Sequence, residues 1–286
     1  MEPLVDHKEI LDAVRRLQPL PEVVLRVATL AADLEIPVET LKREIHRDPV
    51  LTAKLLRLCN SPYYGCQREI ASVQEAIVRL GFDTVRKLAL TLAVRYHLDR
   101  PLEGYAMTRG DLWRHAVGCA IAGEHLARRW TGAPGATVYT AGLLHDLGKV
   151  VLDAYVGVRG EAIQERVEAG LSFPEAEKAA LGLDHGEVGG LVAHAWGLPQ
   201  ALAEAMAHHH APSRARTAPE VVAVVHLADL LCLMMGLGLG RDGLSYRPDE
   251  GALARFHLTR QSLEKLLDEL PGVIGPAMAL LEEPEV

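Results

Sequence analysis

The sequence predicts an all-α protein, in which an N-terminal helical bundle packs against a second helical domain. Apolar residues make up 49% of the 286, and they are chiefly Ala and Leu, strong intrinsic helix formers, with only 3 Phe and 7 Tyr. The punctuation between apolar segments is that of helix caps and stops. No period-two alternation of useful length marks a strand.

In chain order, Asp48-Pro49 supplies an N-cap with Pro at the first helical position, and Asn60-Ser61-Pro62 closes the resulting helix. Ser72 and Glu75 have capping-box spacing, Gly81 supplies a stop, and Asp83 is placed to cap the next helix, 84–97. At 98–104, Pro, Gly and charge interrupt the apolar period. A domain boundary there gives an N-terminal helical unit over 1–100, a second helical domain over 101–240 and a helical extension over 241–286. Past the boundary, helices read at about 110–130, 136–147, 160–170, 174–181, 185–196, 199–210, 219–236 and 259–281, the last broken near Pro271-Gly272. Residues 150–156 are too few to decide between helix and strand, and the glycine-rich stretch 236–243 reads as a mobile loop.

Thirty basic against 38 acidic residues give a net charge of −8, which argues against a broad basic surface for nucleic acid. The charged N-terminus, MEPLVDHKEILDAVRR, has no apolar core of a signal peptide, so the cytoplasm is the expected compartment. Cys59, Cys66, Cys119 and Cys232 form no C-x-x-C pair and read as reduced thiols. The stretch 221–240 has the length of a membrane span, but Asp229 near its centre makes a buried core helix the better reading.

Nine of the 13 histidines fall between His115 and His226. Asp111 and His115 are four residues apart on one helix and share a face, as two ligands of one metal must. His145-Asp146 follows an apolar run that Gly148 ends, with Lys149 just beyond. Asp184-His185, His208-His209-His210 and Asp229 come next. Imidazoles and carboxylates from several helices, converging inside a bundle, suit one or two ions of iron, manganese or zinc. His185 has an alternative reading, as first-turn residue of a helix that Asp184 caps and Glu187 completes. Three consecutive histidines cannot all face one way on a helix, and His208 is the one expected to face outward. Asp229 on an apolar helix requires a cation, a metal or donors, and His226 is either its supporting partner or a core histidine.

From about Gln18 to Asp229 the chain resembles the HDOD family, a regulatory branch of the HD superfamily of metal-dependent phosphohydrolases. The resemblance rests on LQPLPEVVLRVATLA, DPVLTAKLLRLCNSPYYG, SVQEAIVRLGFDTVRKLAL, DLWRHAVGCAIA, AGLLHDLGKVVL, LDHGEVGGLVAHAWGLP, AMAHHHAP and VVHLADLL, all in the family's order. It implies an HD-type helical domain at 101–240 and a signalling role, in a family where many members have lost the metal ligands. Carried over by position, the superfamily's ligands land on His115, His145, Asp146, His185, His209, His210 and Asp229, with none lost. Asp111 stands where related two-metal enzymes carry an additional carboxylate. The Gly-Tyr-Pro signature of cyclic-di-GMP hydrolases is replaced by Ala211-Pro212-Ser213.

Two functions follow. The first is a bacterial signal-transduction module without catalysis, its HD pocket holding a metal or a nucleotide and its N-terminal helices docking a regulatory protein. The second is a metal-dependent phosphohydrolase acting on a nucleotide or another phosphoester. In the second, the resemblance implies that Asp146 bridges the metals and that Lys149, Arg214 and Arg216 neutralise phosphoryl oxygens.

Overall fold

The computed structural model describes residues 7–17, 38–65, 68–243 and 245–281. Cys66 and the 18–31 part of the first family segment lie outside them. Among the described residues the regular structure is helical, with a lone bridge between Leu102 and Met107.

The first half contains α1 (His7–Arg16), α2 (Val38–His46), α3 (Pro49–Cys59), α4 (Val73–Leu80) and α5 (Phe82–Leu98). Asp48 caps α3 as expected, its Oδ1 accepting from the backbone N–H of Val50 at 2.9 Å and Leu51 at 3.0 Å. Asn60 closes α3 by donating to the Leu56 and Ile70 carbonyls, both at 2.9 Å, and so ties the helix end to the strap that leads into α4. Asp83 does not cap α5, because the helix starts one residue before it. Its carboxylate instead pairs along the helix with Arg86 and Lys87. Helices α2 to α5 pack together, and α5 carries the bundle onto the second half. Thr91 of α5 shares a 2.7 Å hydrogen bond with the Tyr139 hydroxyl, and Lys87 pairs with Glu124. Helix α1 packs away from this bundle, against two helices of the second half.

That half contains α6 (Asp111–Leu126), α7 (Gly135–Leu144), α8 (Leu147–Glu168), α9 (Phe173–Leu181), α10 (His185–Ala195), α11 (Gln200–His208), α12 (Pro219–Met234), α13 (Glu250–Arg255) and α14 (Arg260–Leu281). Several expectations are corrected here. Residues 150–156 are helical, and α8 runs unbroken through 22 residues because Val150, Val151, Leu152 and Val156 pack into the core. Helix α7 ends at Leu144, and Gly148 lies in the first turn of α8 rather than stopping the previous helix. Helix α14 runs through Pro271 and Pro276. Two glycines set the spacing of the central helices. A Cβ on Gly148 would lie 1.9 Å from the His185 carbonyl oxygen, and one on Gly142 would lie 2.9 Å from that of Cys119. Only glycine lets α8 approach α10, and α7 approach α6, this closely.

Helix α12 starts after Ala218, which has no capping side chain, so Glu204 of α11 supplies the acceptor. Its Oε2 receives the N–H groups of Arg216 at 3.2 Å, Thr217 at 2.9 Å and Ala218 at 3.0 Å. Burial works against the charge, but these donors outweigh it and hold the carboxyl below its ordinary 4.5. Glu204→Ala is expected to cost about 1–2 kcal/mol, as for a lost N-cap, read by urea unfolding. A depressed folded pKa means that this contribution is complete above pH 4.5 and is lost as pH falls through the folded value. The gap between variant and wild type should therefore shrink at acid pH, and a gap that stays constant would refute the assignment.

No described helix is long and apolar enough to cross a membrane. Helix α12 has 16 residues and turns Asp229 into the protein interior, 2% exposed.

Candidate metal centre

Two groups of donors meet at the heart of the second half. The first joins His115 and Cys119 of α6, His145 from the turn after α7, and Asp229 of α12; the second joins Asp146, His185 at the start of α10, and His209 and His210 after α11. Within each group the donor atoms lie within 4.8 Å of one another.

Asp146 stands between them. Its Oδ1 is 3.5 Å from His185 Nε2 and 3.6 Å from His209 Nε2. Its Oδ2 is 3.5 Å from His145 Nε2 and 3.6 Å from His115 Nε2. One carboxylate oxygen thus faces each group, the arrangement of a bridging ligand. Asp229 Oδ1 lies 3.1 Å from His115 Nε2 and 3.9 Å from His145 Nε2. The Nε2 atoms of His185 and His210 converge to 2.7 Å.

The chain aims these imidazoles by tethering their outer nitrogens. Nδ1 meets the Leu237 carbonyl at 2.9 Å in His115, the Gly142 carbonyl at 2.7 Å in His145 and the Met206 carbonyl at 2.9 Å in His209. In His185, Nδ1 meets the Glu177 carboxylate at 2.5 Å. Each partner is an acceptor, so each Nδ1 carries a hydrogen, and in the neutral ring the Nε2 lone pair points inward, the form that binds a metal. The Nε2 atoms of His145 and His209, Asp146 Oδ1 and Asp229 Oδ2 are buried without a hydrogen-bond partner. Buried acceptors converging without donors fit a divalent cation.

The electrostatics separate the imidazoles, since His115 holds a proton that a metal would have to displace whereas His145 is neutral. Burial disfavours charge on His115, but its hydrogen bond to Asp229 and the charges of Asp229 and Asp146 prevail and raise it to about 9. At His145 burial dominates and lowers the imidazole to about 4. Asp229 is held at about 2, since His115 and His145 more than offset its burial.

The structure brings together seven of the residues expected to ligate metal: His115, His145, Asp146, His185, His209, His210 and Asp229. Asp111 is not among them. At the first position of α6 its carboxylate turns back to accept from the Thr108 N–H and hydroxyl, both at 2.6 Å, and from Arg114 at 2.5 Å. His208 lies outside both groups, as expected. His226 donates from Nδ1 to the His209 carbonyl at 2.7 Å and accepts the Asp249 N–H on Nε2 at 2.9 Å, and so fixes the backbone behind the histidine pair. Lys149 departs from its expected role. Its ammonium is buried at 2.8 Å from Asp146 Oδ2 and 2.8 Å from Asp242 Oδ2, so it faces carboxylates rather than a phosphoryl group. Arg216 is held near α12 through its backbone, whereas exposed Arg214 lines a cavity of about 280 Å³ with Lys178, His210, Tyr246 and Arg247.

Sequence reasoning missed Cys119, Glu177, Asp242, Tyr105 and Tyr246. Cys119 had a signal, since it follows His115 by four residues on the same helix. Glu177 receives the Tyr105 hydroxyl at 2.5 Å in addition to His185. The glycine-rich stretch expected to be mobile is pinned across the centre. Arg241 donates to the Tyr105 and Gly104 carbonyls, at 2.6 and 3.0 Å, and Asp242 holds Lys149 and the Tyr246 hydroxyl. Tyr246 stacks on His210 with ring centroids 4.7 Å apart, and both rings line the cavity, which therefore adjoins the second donor group.

Residues 17–212 match the model of the HDOD domain family. A crystallised HDOD domain protein of unknown function from Geobacter sulfurreducens is 27% identical and superposes with a TM-score of 0.73, over 98% of this chain and 100% of its own. A candidate signal transduction protein from Marinobacter aquaeolei VT8 (23% identity, TM-score 0.75, 98% of this chain and 66% of that one) shares the fold. So does a candidate phosphohydrolase from Shewanella amazonensis SB2B (22%, 0.63, 96% and 93%). An uncharacterized protein of Treponema pallidum (strain Nichols) is 25% identical over 204 residues; the match takes in 70% of this chain and 39% of that protein's length.

Proposed function

This chain belongs to the HDOD family, and we propose that it acts as a cytoplasmic signal-transduction module whose HD centre holds one or two divalent metal ions in a closed, non-catalytic state. The observation that carries this reading is a donor set that the chain buries except at His210, which lines the cavity. His115, His145, His185 and His209 are wholly buried, and residues 236–243 and 245–249 lie across the centre with Tyr246 against His210. A divalent ion bound there would supply Lewis acidity and a water of lowered pKa. Asp146 is placed to bridge the two groups, the tethered imidazoles to hold their lone pairs inward, and Lys149 to keep Asp146 ionised and fixed.

A docking role falls to the N-terminal helices. Val50, Val78 and Tyr96 are each more than 60% exposed on α3, α4 and α5, where a regulatory protein could bury them.

Elemental analysis of freshly purified protein is expected to find iron, manganese or zinc at one to two ions per chain, with no turnover on a broad phosphoester panel supplied with manganese or ferrous iron. Metal-free protein that is folded and stable would remove the metal from this reading. Turnover would favour the second reading, a phosphohydrolase on a nucleotide or other phosphoester. The 280 Å³ cavity beside His210 supports that alternative, with Arg214, Lys178 and Arg247 at hand for phosphoryl oxygens. In that case Tyr246→Ala, which widens the cavity beside His210, should raise the rate.

A further inference from the structure

The thiol of Cys119 has no part in the reading above. It is wholly buried on α6, one turn after His115, and its Sγ lies 3.5 Å from His115 Nε2, the inward-facing nitrogen. Cys232 of α12 sits beside it but falls outside the donor group. A buried cysteine acting as a small hydrophobe needs only apolar neighbours. Here the neighbours are His115, His145 and Asp229, and two of their atoms, His145 Nε2 and Asp229 Oδ2, are buried without a hydrogen-bond partner.

The spacing fits shared coordination. Donors about 2.0–2.3 Å from one ion stand roughly 3–4 Å from each other. The sulfur-to-nitrogen separation of 3.5 Å, the 3.1 Å between His115 and Asp229, and the 3.9 Å between His145 and Asp229 all fall in that range. Charge fits as well. A thiolate and the Asp229 carboxylate balance a divalent ion, the two imidazoles bind in their neutral form, and the charge of Asp146 is met by Lys149 at 2.8 Å. The second group, Asp146 with His185, His209 and His210, contains no sulfur.

Resting on the metal-centre reading, we propose that Cys119 is a metal ligand, its thiolate joining His115, His145 and Asp229 in a site that prefers zinc to manganese. Coordination replaces the S–H bond with a sulfur–metal bond and releases the proton to solvent. Thiolate favours zinc because manganese prefers oxygen donors. The two halves of the centre therefore differ in metal preference, the sulfur-bearing half taking the softer ion.

The test is full-length protein reconstituted with cobalt(II), compared with Cys119→Ser, Cys119→Ala and Cys232→Ser. Wild type and Cys232→Ser should show a near-ultraviolet thiolate-to-cobalt charge-transfer band. Both Cys119 variants should lack it while keeping visible ligand-field bands, and should lose about tenfold or more of the zinc-over-manganese preference. Cobalt bound to wild type without the band overturns the proposal alone, even if the variants fail to fold. So does a band that survives in either Cys119 variant. Wild type that binds no cobalt overturns both the proposal and the metal-centre reading.

Discussion

Asp146→Ala is expected to abolish metal binding and to lower the melting temperature by roughly 10 °C, since a bound ion at a thousandfold excess over its Kd stabilises the native state by about 4 kcal/mol. The reason is position. Asp146 is the residue whose two oxygens face both donor groups, and its loss removes an anion from each. Metal content measured beside thermal unfolding, with and without chelator, separates the two parts of the effect. Chelated wild type should melt close to the variant, because most of the loss comes from the ion. A variant that keeps its full metal content would show that Asp146 is not the bridge.

Lys149→Met is expected to destabilise the chelated protein by about 3–5 kcal/mol, the usual cost of removing one partner from a buried charge pair. Lys149 is 2% exposed and serves two carboxylates, Asp146 and Asp242, so its removal leaves like charges facing each other in the interior. Their charges raise its pKa in spite of burial. Adding Asp242→Asn should recover part of the loss, and the coupling can be read from a double-mutant cycle in urea. Single and double variants that behave additively would mean that the lysine does not pin the strap. The variant also bears on function, since a lysine that instead contacted a phosphoryl group would leave stability almost unchanged when replaced.

Much of the second half was legible because its signals are local. Asp184 with Glu187 forms the capping box expected at α10, and it starts a helix whose first residue is the candidate ligand His185. The order of His115, His145-Asp146, His185, His209-His210 and Asp229 along the chain was enough to name seven residues that the fold brings together. Less visible was α8. Its β-branched run at 150–156 satisfies strand and helix patterns alike, and burial against its neighbours makes it helical. The prolines of α14 signalled a break that the helix does not show.

What the sequence determined by itself was therefore the fold class and seven of the candidate metal donors, because caps, apolar period and family motifs are read one residue after another. Tertiary structure alone decided which of the candidate donors meet at the centre. Asp111 and Cys119 each lie four residues from His115 on one helix, yet the carboxylate at the helix start turns back to Thr108 and Arg114 while the thiol faces His145 and Asp229. Helical spacing offers both, and the crossing of α6 with α7 and α12 selects one. Asp242 is a stronger case. Nothing near it in sequence points to Lys149, 93 residues away, and only the return of the strap across the centre brings the charges together. A carboxylate's partner inside a protein depends on which chain segments exclude water around it, and that is a property of the assembled fold.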